Sequence, residues 1–570
     1  MPVQSHRHAP ATFGLLLSMH LSLPGTGAES VRPASAGAAP VGPAPRPSSF
    51  PKDSSGTVSD RASGWIKGLP WLLPAFLSLF WTACNAPKPL HIDDATYYRF
   101  ARQAFEHTTD PYGFSILYFN RPLPANHVLA PPVVPYWWAA GMRLVGDEPW
   151  RWKLWFLPFA ALFVFSLWNL LQAFSPRHAA VLLLGIVLGP AVFPAFNLMT
   201  DIPAQGFALA AIAIFRRAAL RNSAALALLS GVLAALAAQT KYTGLLCLAV
   251  IVAYAVTEGA ASTVGSASRQ SKILLALLSI ITSLSLFSSW EIFVACRYGE
   301  SHFLFHLRNQ ASATGSKLHL VLPLVTLLGY LAPGLIVMAI VICVKRRREP
   351  LLASKCPLFL IAWLTLEIAG YFLLSPFAAA RRIIGIVIVA TILVGRGTSS
   401  SGWDAVCLRL AMFLTAILGL AYAALDWREA DAERQAAITA VNRIRTDAPG
   451  RTIWYCGYWG FQFYAERAGA RQVVPSYQPI TSAIPLLAPS HFHRGDWIIA
   501  PAPGTPIPQQ LIALDQDVRL VSPVIIDDKV PLRTAGAYYL SSIPLEPTIV
   551  PRVSIAIGYI THDLVPRAVD

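Results

Sequence analysis

Apolar runs follow one another from residue 65 to residue 425, near 65–85, 129–146, 152–174, 178–197, 201–219, 223–239, 242–258, 271–295, 319–344, 356–376, 381–397 and 404–425. Most approach the length of about 20 helical residues that a bilayer core requires. In lipid only a helix or a closed barrel satisfies every backbone polar group, so runs of this kind predict an all-α polytopic membrane protein. Composition agrees: 55% of the 570 residues are hydrophobic and only 13% are charged, outside the range of ordinary soluble domains. The net charge of +15 does not call for nucleic acid. The basic residues cluster in short loops between apolar runs, as membrane topology demands. Seven cysteines contain no Cys-x-x-Cys pair, which argues against a zinc site or a disulfide framework.

Three regions follow. Residues 1–63, rich in Pro, Ala, Ser and Gly, read as a disordered extension. Residues 64–425 read as the membrane domain, with a large outer loop at 86–128. Residues 426–570 lack a membrane-length run and read as a small soluble α/β domain, with strands near 452–456, 473–475, 497–500 and 518–526 and a helix over 460–468 that Gly469 ends. Arg216, Arg217 and Arg221, and the basic stretch 345–348, mark inside loops. Counting from them puts Lys241, the 297–318 loop, Arg381, Arg382 and everything after 426 on the outer, periplasmic side. A forward count of twelve spans puts the tail inside. A thirteenth element within 178–200, broken at Pro190 and Pro194, reconciles the two.

Directly after the first run stands His91-Ile92-Asp93-Asp94-Ala95-Thr96-Tyr97-Tyr98-Arg99-Phe100. From Tyr97 the side chains Tyr97, Phe100, Ala101, Ala104 and Phe105 recur at helical spacing, with Arg99, Arg102, Gln103 and Glu106 mostly on the other face. The pattern predicts a helix lying on the membrane surface. One acid suffices to cap it, which leaves the other for chemistry.

Other charged residues stand where a bilayer makes charge costly. Asp201, in Thr200-Asp201-Ile202-Pro203, opens a run, either as a helix cap or as a functional acid. Lys241, in Gln239-Thr240-Lys241-Tyr242-Thr243-Gly244, joins two runs on the expected outer side, either snorkelling or binding an anion. Arg381 and Arg382 head a further run, and paired guanidinium forks suit a phosphate. His302 and His306 lie one helical turn apart, placed to hold a metal or phosphate or merely to form a polar face.

An acidic pair after the first run, Pro131-Pro132 with Tyr136-Trp137 opening the second, Thr-Asp-x-Pro at 200–203 and Thr-Lys-Tyr-Thr-Gly at 240–244 occur in that order. Over roughly residues 65–400 the chain resembles the GT-C integral-membrane glycosyltransferases, in particular the protein O-mannosyltransferases, the bacterial aminoarabinose transferases and the RgtA/B/C/D-like enzymes. The resemblance implies a polyprenyl-phosphate sugar as donor and a lipid, glycan or protein hydroxyl as acceptor, on the non-cytoplasmic face. It implies Asp93 as the catalytic carboxylate and Asp94 in place of a second acid that is usually Glu. Asp201 and Lys241 would share the cavity, and Arg381 or Arg382 would meet the lipid phosphate. The aminoarabinose transferases carry Glu-Lys before Pro-Pro, where this chain has Leu129-Ala130. That removes a cation and a possible ligand for a divalent metal; His127 and Arg121 are the candidates to replace them. A transporter or flippase is the rival from another class, but charges gathered at one membrane face and the absence of a two-half repeat favour an enzyme. A polymerase of envelope polysaccharide would share the same chemistry.

Overall fold

A computed structural model describes residues 69–118, 121–260, 268–312, 317–346, 358–399, 401–477, 484–501, 517–527, 529–534, 543–547 and 552–566. The expected extension 1–63, along with Arg347 and Arg348 of the basic inside loop, lies outside them.

The first run forms α1 (Leu69–Asn85), and the acidic stretch opens α2 (Asp94–Glu106). This helix starts three residues before the apolar spacing suggests and buries Ala95, Tyr97, Phe100, Ala101 and Ala104. A short hairpin, β1 (Ser115–Tyr118) and β2 (Arg121–Pro124), leads to α3 (Val133–Val145). Next come α4 (Pro149–Trp155), α5 (Leu157–Phe174) and α6 (Ala179–Val187), then α7 (Asp201–Arg221), α8 (Ala224–Thr240) and α9 (Leu246–Ala260). The hairpin between α7 and α8 is tight because Asn222 takes the left-handed conformation and the Ser223 hydroxyl caps the Leu226 N–H. The remaining helices are α10 (Arg269–Tyr298), α11 (His302–Ser312), α12 (Val321–Leu331), α13 (Pro333–Arg346), α14 (Leu358–Leu374), α15 (Ile384–Gly397) and α16 (Trp403–Asp447).

Of the twelve or thirteen transmembrane helices expected, a few reach membrane length as single helices in the described residues. Among the described residues, Pro149–Phe174, Arg269–Tyr298 and Trp403–Asp447 are long and apolar enough to cross a membrane. Val321–Leu331 with Pro333–Val341, bent by 93°, makes a fourth if counted as one span. Other apolar runs become helices of 10–17 residues, among them Ala224–Thr240 and Tyr242–Glu258. The 178–200 stretch does break, into α6 and a 3-10 turn at Phe193–Ala195. α16 crosses this broken segment at close range: a Cβ on Gly419 would sit 1.9 Å from the Leu188 carbonyl oxygen. Leu274, Ile281 and Ile292 of α10 and Phe413 of α16 are each more than 60% exposed. An apolar surface of that kind belongs against lipid.

The change of character after residue 425 falls inside α16, which continues unbroken to Asp447. Beyond it lie β3 (Ile453–Tyr455), α17 (Trp459–Arg467), β4 (Arg471–Gln472), β5 (Trp497–Pro501), β6 (Val518–Ile526), the small β7 (Leu532–Arg533) and β8 (Glu546–Pro547) pair, and β9 (Val553–Ile560). The main sheet has the order β4-β3-β5-β9-β6. β4, β3 and β5 are parallel, and β9 runs antiparallel to both its neighbours. Residues 473–475 lie just past a strand two residues earlier than expected, and β9 went unread. The sheet packs on the C-terminal half of α16, and α17 packs on α2, where Arg99 pairs with Glu466.

Candidate active site

Four chain segments meet at one point. Asp93 ends the loop after α1, Asp201 starts α7, Lys241 joins α8 to a 3-10 turn, and Arg381 and Arg382 lie in the turn before α15. Arg381 Nη1 donates to Asp93 Oδ2 at 3.0 Å and lies 3.7 Å from Asp201 Oδ2. Lys241 Nζ donates to Asp201 Oδ1. Arg382 stacks over Phe377 at 4.6 Å and makes no ion pair among the described residues. The Nε atoms of both arginines are buried without a hydrogen-bond partner. Three cations thus face two carboxylates. Tyr97 Oη lies 3.4 Å from Thr200 Oγ1, and burial together with the Asp93 charge pushes the Tyr118 hydroxyl up to about 12.

A cavity opens beneath this cluster. Its polar lining is Asp201, Gln205, Lys241, Thr243, Glu367, Tyr371, Ser375, Arg381 and Arg382, while Leu209, Ile212, Leu246, Val250, Trp363 and Leu374 supply an apolar stretch. Such a surface accepts a molecule with an anionic head and an apolar tail.

Asp94 does not join Asp93. Ile92 has φ +50, a conformation that β-branched residues rarely adopt, and the two acids leave the turn in different directions. Asp93 makes no side-chain capping bond. Asp94 Oδ2 accepts from the His91 N–H at 3.1 Å and the residue is fully buried. Burial raises its carboxyl above the usual carboxylate range, partly offset by Lys153 and Lys88. It belongs to a second polar group in which Lys88 Nζ donates to Asn197 Oδ1 at 2.7 Å and to Asp426 Oδ2. There His91 Nδ1 meets Glu433 Oε2 at 3.0 Å. Sequence reading missed Lys88, Lys153, Asp426 and Glu433. The signal was available: Lys153 stands in an apolar run and Asp426 at the end of one, and charge in such places needs a partner.

The histidines form a third group. His127 pairs with Glu300 at 2.7 Å and stacks on Phe305. His302 Nε2 meets the Val128 carbonyl at 3.0 Å, which leaves Nδ1 to the Tyr242 hydroxyl. That hydroxyl also lies 3.1 Å from Glu291 Oε1. Burial lowers His302 to about 4 and His306 to about 3. None of the three bonds to the Asp93 cluster, and among the described residues no set of three or more His, Cys, Asp or Glu side chains gathers as metal ligands. The group braces Tyr242, the residue after Lys241.

Comparison with known proteins bears on the fold. Residues 130–290 match the family described as dolichyl-phosphate-mannose-protein mannosyltransferase. None of the curated proteins matches the chain by sequence. ArnT from Cupriavidus metallidurans bound to undecaprenyl phosphate superposes with a TM-score of 0.53 at 12% identity, covering 87% of this chain and 98% of that one. ArnT in the apo state gives 0.52 at 14% identity, covering 88% and 98%. The archaeal oligosaccharyltransferase AglB from Archaeoglobus fulgidus, in complex with an inhibitory peptide and a dolichol-phosphate, gives 0.48 at 11% identity, covering 72% and 64%. The fold assignment rests on the two ArnT structures. The matched family segment covers residues 130–290, and the likeness to ArnT is one of fold.

Proposed function

We propose that the chain transfers a sugar from a polyprenyl-phosphate donor to an acceptor hydroxyl at the non-cytoplasmic face of the membrane. One observation carries the reading: Lys241, Arg381 and Arg382 gather around Asp201 in a cavity that also has a long apolar lining. A phosphate suits the three clustered cations, and a prenyl chain suits Leu209, Ile212, Leu246 and Val250. The ArnT structure sharing the fold holds undecaprenyl phosphate, a ligand of this chemical type.

The chemistry then needs few groups. Asp93, one-third exposed at the cluster's edge, takes the proton from the acceptor hydroxyl as its oxygen attacks the anomeric carbon. The bond from that carbon to the phosphate oxygen breaks, and the polyprenyl phosphate leaves with the electron pair. Arg382, Arg381 and Lys241 stabilise the charge that develops on it. Asp201 holds Lys241 and Arg381 in place through its two oxygens. A single displacement inverts the anomeric centre. The test is incubation of the purified protein with a panel of polyprenyl-phosphate sugars and candidate acceptors. Release of polyprenyl phosphate with transfer of sugar is expected, and its absence across the panel with binding intact would refute the reading.

A further inference from the structure

The residues after α16's apolar portion reach back to the loop that delivers Asp93. Tyr464 of α17 accepts from the Leu90 N–H at 3.0 Å. Glu433 holds the His91 ring at 3.0 Å, and Asp426 holds Lys88. Gly460 lies against the same place, since a Cβ there would sit 2.5 Å from the Leu90 carbonyl oxygen and 2.8 Å from Glu433 Oε2. His91 is fully buried. The next residue, Ile92, is the left-handed one, and Asp93 follows. A strained residue persists only where its surroundings over-determine it. Here the C-terminal region grips the chain on one side of Ile92, and Arg381 holds it on the other.

We infer that Glu433 and His91 are positioning residues for the reaction: through Ile92 they hold the Asp93 carboxylate at the cavity mouth. The inference rests on the role proposed for Asp93. Glu433 and His91 are not among the residues that line the cavity, whereas Asp201, Lys241, Arg381 and Arg382 are. Donor binding should therefore survive when the clamp is released, whereas the rate of the chemical step should not. Misplacement of a reacting group by about 1 Å can cost on the order of a hundredfold in rate.

The full-length protein in lipid nanodiscs provides the test. Glu433→Ala should speed amide hydrogen exchange in a peptide covering 91–94 by about tenfold or more. It should lower kcat by roughly ten- to a hundredfold with KM for the donor within about twofold. Glu433→Gln keeps an acceptor for the His91 ring and should preserve most of both. Should Glu433→Ala not accumulate as folded protein, Glu433→Asp retracts the carboxylate by one methylene and serves the same comparison. Unchanged exchange at 91–94 overturns the clamp. Faster exchange with kcat intact, or with the loss confined to KM, overturns its positioning role. A fully active Asp93→Asn would instead sink the base assignment, and hydrogen exchange would still report whether the clamp exists.

Discussion

The two polar groups that flank Ile92 are built on opposite plans. The cavity mouth sets Lys241, Arg381 and Arg382 against Asp93 and Asp201, leaves the Arg382 guanidinium with only an aromatic face, and keeps Asp93 partly exposed. The group behind it balances Lys88, Lys153 and His91 against Asp94, Asp426 and Glu433, nearly all of it buried. An unbalanced, accessible set of charges is arranged for a ligand, and a balanced, sealed one for holding chain segments together. Adjacent acids in the sequence thus have different surroundings: Asp93 pairs with Arg381 and stays partly exposed, and Asp94 is sealed against the His91 loop.

The contrast breaks most sharply at the two acids. Asp93→Asn should cut turnover by about a hundredfold to ten-thousandfold while donor binding and melting temperature hold. Asp94→Asn, which keeps an acceptor for the His91 N–H, should leave turnover within about tenfold and lower the melting temperature instead. Equal effects of the two substitutions on rate would erase the distinction. Within the sealed group, Asp426→Asn leaves Lys88 without its carboxylate. Breaking a buried pair from one side typically costs about 3–5 kcal/mol, so thermal unfolding should register a large drop, whereas the apparent affinity for polyprenyl phosphate should not move.

Arg382→Gln should do the reverse. It should weaken binding of polyprenyl phosphate by roughly ten- to a hundredfold, as expected for one charge-assisted hydrogen bond of about 1.5–3 kcal/mol, with little change in melting. Arg381→Gln should weaken binding as well, and the double variant should lose more. Undiminished affinity in all three would move the phosphate site elsewhere.

The smallest effect concerns pH and the histidine group. His302 and His306, buried and lowered to about 4 and about 3, stay neutral in the folded chain, while in the unfolded chain they take protons near 6.5. Their contribution is complete above pH 6.5 and is lost as pH falls from there towards 4, because the unfolded state then binds more protons. Melting temperature should decline over that window, and His302→Gln should flatten the decline. A profile identical to that of the unsubstituted chain would show that these side chains titrate normally.

How much of this the amino-acid order disclosed depends on the range of the interaction. Asp93, Asp201, Lys241, Arg381 and Arg382 were recognisable singly, because each is a charge placed beside an apolar run, and the structure gathers all five. The direction taken by Asp94 was not legible. It depends on the φ of Ile92 and on Lys153, Asp426 and Glu433, the last of them 339 positions from Asp94. His302 and His306 lie one helical turn apart, as their spacing indicates, yet the His302 ring nitrogens answer to Val128 and Tyr242, which spacing does not reveal. Which apolar runs reach membrane length as single helices was not legible, because mean apolarity does not register where a helix begins and ends. In the tail, strands read correctly where apolar residues were contiguous, as at Val518–Ile526, but β9 was missed.

The uninterrupted course of α16 has one more consequence, which concerns helical phase. Asp426, Glu429 and Glu433 occupy a single buried stripe with Ala430, Ala436, Ala437 and Ala440. Glu429 also takes the Thr534 N–H at 2.7 Å. Each residue of an α-helix advances the screw by about 100°. Inserting or deleting one residue between 427 and 432 would therefore turn Glu433 away from His91 while leaving Asp426 on Lys88. The spacing of seven from Asp426 to Glu433 is a registration mark: it keeps the C-terminal part of the chain in rotational step with the loop beside the cavity.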